Sequence, residues 1–356
     1  MIKKWLIRAF MLSLITFLIT IGVKGATTTF REKSSQKELN LFVWGAFLSP
    51  ETISSFENKY KIKVHLHLCS NNEEMLGKLK RSKPGSFDLV FASDYAIKKI
   101  RQSDLALKID HSRLDFYDRI TPMLLNLEYD PGNQYSVPYG WEVYGIAENH
   151  SLMTPPKEAT FDELFIKTSG GQKVVMTPDP IEAFSIGAYY LHGKISSLSE
   201  REIKQVKALL KKQKRWVEAY ADYRAKYLVV TENCPVAIVK SSFLADLTRE
   251  SPEISYRLPK EATFTSVENL FIPKGAKNVD MAYAFMNHVF NKEEYKKNYE
   301  LCAILPSCLD AIDDSIIDIK VIHELIEIIK ERNNIVFFDY VLPPKELLQA
   351  WIEVKS

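Results

Sequence analysis

The sequence predicts an α/β fold in which a mainly parallel sheet is flanked by helices, spread over two domains. Three observations carry this. Strand and helix periods alternate from Leu39 to Phe91 in the order strand, helix, strand, helix, strand, which implies parallel pairing through right-handed crossovers. The chain has 356 residues, room for about two domains at roughly 150 residues each. Its composition, 46% hydrophobic and 26% charged with 29 Gly and Pro residues, excludes disordered, collagen-like and disulfide-dense classes.

The elements follow in order. Leu39 to Trp44 reads as a buried strand. Ser49 as N-cap and Pro50 at the first helical position open a helix, with Ile53, Phe56 and Tyr60 at helical spacing. Ile62 to Leu68 alternates strictly, so it reads as a strand with one polar face. Asn71 or Asn72 caps the next helix, whose stripe is Met75, Leu76 and Leu79. Phe87 to Phe91 is the third strand. In such sheets ligands bind beyond the carboxyl ends of strands, here Trp44 to Phe47, Cys69 to Asn72 and Ala92 to Tyr95.

Val137 to Trp141 reads as a breaker-rich stretch, followed by a strand from Val143 to Ala147 and another from Lys173 to Thr177. Residues 180–192 read as an aromatic-rich helix. Residues 200–220 read as one long amphipathic helix with Ile203, Val206, Leu210 and Val217 inward and a solvated basic face. Val236 to Val239 and Leu270 to Ile272 are further strands; helices follow at about 278–300 and 318–331, and from Pro344 onward. No repeat or low-complexity linker intervenes, which points to strand-like crossings between the two domains.

The start of the chain is organised differently. Lys3, Lys4 and Arg8 precede the uncharged run Ala9 to Val23, and small residues stand at Gly25 and Ala26. This is the pattern of a signal peptide over 1–25, its apolar run short for a spanning helix of about 20 residues, with an uncleaved anchor as the alternative. A polar leader follows over 26–38. Cleavage removes four positive charges and no negative one, which leaves a net charge of −2. The overall charge therefore gives nucleic acid no support as a partner. An exported compartment permits disulfides. Cys302 and Cys308 are close enough in sequence to pair, and free, partly buried thiols are the equal alternative.

Several chemistries are missing from the sequence. There is no phosphate-loop motif and no nucleophile elbow. His323 to Glu327 lacks the second His of a zinc-protease helix, and no C-x-x-C occurs. His65 and His67 read as the exposed face of their strand. No cofactor or metal is expected. What is present is an aromatic crowd at predicted strand ends (Trp44, Phe47, Tyr95, Tyr139 and Trp141) and the pair Asp179 and Glu182 at a helix start. Their spacing puts both carboxylates on one side of the first turn; helix-dipole compensation also favours acids there. Aromatic walls attract an organic cation and carboxylates accept hydrogen bonds from its ammonium.

These segments, together with Leu258 to Glu261 and Leu270 to Asn278, resemble the polyamine-binding subunit of bacterial spermidine/putrescine ABC transporters from about Leu39 to Pro306. The resemblance implies a two-lobed periplasmic-binding-protein type II clamshell, with lobe 1 formed by 39–140 and 267–305 and lobe 2 by 141–266 and 306–356. It implies a receptor that captures a polyamine and delivers it to a membrane permease, without catalysis; the signal-peptide pattern places it in the periplasm, and a monomer is the default expectation. Carried over residue by residue, it implies that Trp44, Phe47, Ser93 and Tyr95 line the site, that Asp179 and Glu182 bind one amine, that Glu268 binds another, and that Trp141 lies near.

Departures accompany the match. Ser266 stands where the family has a Trp, a second Trp aligns near Val239 or Lys240, a Tyr near Ala303, and an acid at Ala46. The carboxylates are kept while part of the aromatic box is lost. The rival expectations are the same clamshell with another solute, such as a ferric complex or small anion, an exported hydrolase, or an interaction protein that has lost transport. The acids at 179, 182 and 268 disfavour an anion.

Overall fold

The computed structural model describes residues 38–166, 173–244, 251–311 and 319–356. The expected signal peptide and all of the leader but Glu38 lie outside these residues. The chain enters through β1 (Glu38–Trp44), then α1 (Pro50–Tyr60), β2 (Lys63–Cys69), α2 (Asn72–Arg81), β3 (Leu89–Ser93) and α3 (Asp94–Gln102). A series of short 3-10 turns leads to β4 (Val137–Asn149), α4 (Asp162–Phe165), β5 (Val174–Met176), α5 (Pro180–His192) and α6 (Glu200–Gln213). Then come β6 (Val217–Tyr220), α7 (Arg224–Val230), β7 (Val236–Lys240), β8 (Ile254–Arg257) and β9 (Thr263–Phe271). The chain ends with α8 (Val279–Val289), α9 (Lys292–Cys302), β10 (Leu305–Pro306), α10 (Ile319–Arg332), β11 (Ile335–Phe337) and α11 (Pro344–Lys355).

Among the described residues the strands join in the order β2-β1-β3-β9-β4-β7-β5-β6, with β8 and β10 on β4 and β11 on β9. Both wings are parallel: β1 pairs with β2 and β3, and β5 with β6 and β7. The middle is antiparallel, through β3, β9, β4 and β7. The long strand β4 takes part in both halves. Its first part pairs with β9 (Trp141 opposite Val267) and its second with β7 (Tyr144 opposite Lys240).

Local chemistry sets the helix starts. The Ser49 hydroxyl accepts from the Thr52 amide, and Pro50 follows it. Asn71 caps α2, which leaves Asn72 free to point inward. Asp179 caps α5 ahead of Pro180, and Ser199 with Glu202 forms a capping box on α6. Two apolar clusters dominate. One is centred on Phe42, Phe184, Phe264 and Trp351, the other on Phe56, Phe91, Phe285 and Tyr295. Each such buried side chain contributes about 1.5–3 kcal/mol. Asp88, fully buried, accepts from the Asn40, Lys277 and Asn278 amides and ties β1 to the loop before α8.

Several expectations need correction. The helix over 200–220 ends at Gln213; Trp216 turns inward to donate to the Leu164 carbonyl, and Val217 starts a strand beside β5. The helix near 278–300 is two helices, separated where Asn291 caps the second. The breaker-rich stretch Val137 to Trp141 is regular strand, and its ladder slips between Pro138 and Gly140. Proline is tolerated at such an irregularity. On the edge strand β2, Leu66 and Leu68 remain exposed, so its alternation does not bury one whole face. His67 meets the Asn40 side chain and the edge of Phe87, while His65 faces Glu38. All four cysteines are free thiols, so the bond that the Cys302 and Cys308 spacing allows is not made. The two thiols have different charged neighbours, Glu142 for Cys302 and Arg119 with Asp310 for Cys308. Burial raises the first to about 12 and the second to about 11.

Candidate functional site

Three strand ends bring the first group together. Trp44 closes β1 and Ser93 closes β3, and the antiparallel register puts Glu268 of β9 directly opposite Ser93. The Trp44 indole N–H donates to Glu268 Oε2 at 2.8 Å, and the Ser93 hydroxyl to Oε1 at 2.7 Å. One carboxylate thus receives two neutral donors from two strands. The Asn72 amide, at the start of α2, donates to Ser93 Oγ (3.1 Å) and to the Tyr95 hydroxyl (2.7 Å), and its oxygen accepts from the Ser93 amide.

The second group comes from the other half. Glu182 sits in the first turn of α5 and is buried. Tyr144 of β4 donates to Glu182 Oε1 at 2.6 Å, and the Thr177 hydroxyl donates to Oε2. Asp179 uses one oxygen to cap the Ile181 amide at 2.7 Å and is half-buried. The two groups share one electrostatic neighbourhood. Tyr95 lies in the field of Asp179 and Glu182, and the Lys240 charge acts on both Glu182 and Glu268.

Burial sets the protonation of these acids. It raises Glu182 and Glu268 above the usual carboxylate range, opposed by their hydrogen-bond donors and by Lys240. Asp179 is pushed up to about 7, first by burial and then by the Glu182 charge. Glu142, two residues before Tyr144, is also raised by burial. Burial alone would depress Lys240, but Glu142, Asp222 and Glu182 hold its pKa well above the ordinary lysine value.

A C-terminal segment links the two sides. Lys98 of α3 pairs with Asp339 at 2.6 Å, and Ser185 of α5 donates to the Asp339 carbonyl at 3.0 Å. The Tyr340 hydroxyl donates to Glu73, and its ring meets Tyr95 edge-on at 5.8 Å.

Of the residues expected from the sequence, Trp44, Ser93 and Glu268 are bonded to one another, Tyr95 joins them through Asn72, and Asp179 and Glu182 form the second group. Phe47 is half-buried, and its ring packs against Phe91 and Tyr139. Trp141 has no exposed surface; its indole donates to the Pro306 carbonyl at 3.1 Å, where β10 joins β4. It is placed as a packing residue at the strand crossing. Asn72 and Thr177 lie in segments that the sequence points to, at the end of β2 and just ahead of Asp179, and Lys240 stands near where the family has a second Trp; the sequence gives Glu142 and Tyr144 no such place. Glu142 and Tyr144 share one face of β4 by the two-residue period of a strand; Tyr144 lies in the strand expected from Val143, whereas Glu142 falls just before it. Among the described residues, no three His, Cys, Asp or Glu side chains are grouped to hold a metal ion.

The fold is that of type II periplasmic binding proteins, two α/β halves joined by strand crossings, and the class it defines is the solute-binding receptor. A chain from Listeria monocytogenes matches it with a TM-score of 0.79 at 25% identity, covering 90% of this chain and 99% of that one. A spermidine/putrescine ABC transporter substrate-binding protein of Streptococcus pneumoniae shares the fold, with a TM-score of 0.73 at 22% identity over 90% of this chain and 100% of that one. A spermidine/putrescine-binding periplasmic protein of Salmonella typhimurium is 28% identical over 282 residues, 79% of this chain and 80% of that protein. Residues 51–321 match the family of bacterial extracellular solute-binding proteins, and the chain belongs to that family.

Proposed function

We propose that this protein is the extracytoplasmic receptor of an ABC importer for a polyamine. The observation that carries the reading is the pair Glu182 and Glu268. Each is a carboxylate whose hydrogen-bonding partners are neutral side chains, Tyr144 and Thr177 for one and Trp44 and Ser93 for the other. Such carboxylates are oriented without being neutralised, which suits them to receive an ammonium at each end of an extended amine. Asp179 adds a second acid at the Glu182 end. The Trp44 face supplies an aromatic wall for the methylene chain or a cation. Relatives bearing spermidine/putrescine-binding names support the same ligand class.

In this reading Trp44, Ser93, Tyr95, Asp179, Glu182 and Glu268 contact the ligand, with Phe47 at the rim. The lobes are 39–140 with 267–305, and 141–266 with 306–356. The course of β4 and β9 supports that division, because both strands serve the sheet pairings of each half. Residues 1–25 direct export and are removed, and the mature monomer closes over its ligand and hands it to a membrane permease. It makes and breaks no covalent bond.

A thermal-shift screen of residues 26–356 against putrescine, cadaverine, spermidine, spermine, amino acids and ferric chelates tests the reading. A ligand that binds only the folded state raises the melting temperature. A shift with a linear amine is expected. A shift with an amino acid or a chelate alone retires the polyamine.

A further inference from the structure

We propose that Lys240 is a cation built into the ligand site, and that it makes the site select a diamine over polyamines with three or four ammonium groups. The proposal rests on the polyamine reading above. Lys240 is the last residue of β7 and stands opposite Tyr144 in the ladder. Its Nζ lies 3.0 Å from Asp222 Oδ2 and 3.8 Å from Glu142 Oε2, and 5.9 Å from the centre of the Tyr144 ring. The same Tyr144 binds Glu182 through its hydroxyl. The side chain is only 22% exposed. The ammonium therefore sits between a largely buried Glu142 and a half-exposed Asp222, at the edge of the acidic surroundings.

The arrangement copies what a ligand amine would do. Two carboxylates and an aromatic face surround one ammonium, and that ammonium belongs to the protein. Glu142 and Asp222 are engaged by it, whereas Glu182, Asp179 and Glu268 keep neutral or backbone partners. Two acceptor ends remain for two ammonium groups. An additional ammonium would meet the Lys240 charge, and a like charge nearby is unfavourable.

The test is calorimetric titration of putrescine, spermidine and spermine into the wild type, Lys240→Met, Lys240→Gln and Lys240→Arg, with circular dichroism as the check of folding. Methionine keeps the length of the stem and removes the charge; glutamine provides a second neutral variant should the first fail to fold. The wild type is expected to bind putrescine more tightly than spermidine. The ratio of spermidine to putrescine affinity should rise at least tenfold in the Met and Gln variants and stay near wild type in the Arg variant. A ratio unchanged in both neutral variants, or a wild type that prefers spermidine, overturns the proposal while leaving amine capture intact. Binding of no amine by any of the four proteins overturns the polyamine reading, and this proposal with it.

Discussion

The two ends of the site use the same chemistry and differ in their surroundings. At one end Glu268 is fixed by Trp44 and Ser93, both projecting from strand ends. At the other, Glu182 is fixed by Tyr144 and Thr177, with Asp179 and Lys240 close by. At the Glu268 end one acid is held directly by two neutral donors, and the Lys240 charge acts on it as it does on Glu182. The Glu182 end has coupled charges, so its net charge depends on pH and on what approaches it. Burial raises both acids, and the ends differ in that Asp179, pushed up to about 7, stands beside Glu182.

The largest effect should come from the shared feature. Glu182→Gln keeps the side-chain shape and removes the charge. A hydrogen bond to a charged group is worth about 1.5–3 kcal/mol, so calorimetry should find amine affinity weakened about tenfold or more, with the fold intact by circular dichroism. Glu268→Gln should cost a comparable amount. A loss confined to one of the two would show that only that end holds an ammonium.

The difference between the ends should appear in pH dependence. Asp179 titrates near 7 in the folded chain, above its ordinary value of 3.8. Between those values the folded state holds a proton that the unfolded chain has released. The contribution of this group to ligand-free stability is therefore greatest at low pH and falls as pH rises toward 7. Cation binding runs the other way, because the ionised carboxylate is the better acceptor. Amine affinity should climb from pH 6 to 8 and level off above, and Asp179→Asn should flatten that rise. A slope that persists unchanged in the variant would assign the titration to another group.

Smaller effects sharpen the Glu268 end. Trp44→Phe removes the indole donor and keeps an aromatic face. It should weaken binding several-fold, less than Glu268→Gln, because only one of the two donors is lost. The smallest effect belongs to the segment joining the two sides. Asp339→Asn breaks a partly exposed pair with Lys98, and such pairs contribute about 0–1 kcal/mol. Its melting temperature should move by a few degrees at most.

How far each part was legible in the sequence follows from how local its cause is. Asp179 and Glu182 lie three residues apart on one helix turn, so spacing alone brings them together. The strand and helix rhythm of the first wing, set by caps and periodicity, was legible for the same reason. Glu268 was reached only through family resemblance, because its meeting with Trp44 and Ser93 depends on β9 lying between β3 and β4. Lys240 and Tyr144 meet through the register of β4 with β7, which no short-range pattern encodes. Val137 to Trp141 looked like a loop because Pro138 and Gly140 are strand breakers in isolation, and tertiary pairing overrode them. Trp216 ended α6 early for a similar reason, since its indole finds a buried carbonyl on another element.

One amine held between two separate carboxylates is the feature on which ligand capture turns. It is tested most directly by titrating putrescine into the wild type and into the double variant Glu182→Gln with Glu268→Gln, with circular dichroism and melting temperature to show that both are folded. One putrescine should bind per wild-type chain, and the folded double variant should lose affinity by at least about 100-fold, the product of about tenfold from each end. Undiminished binding by the double variant would contradict it.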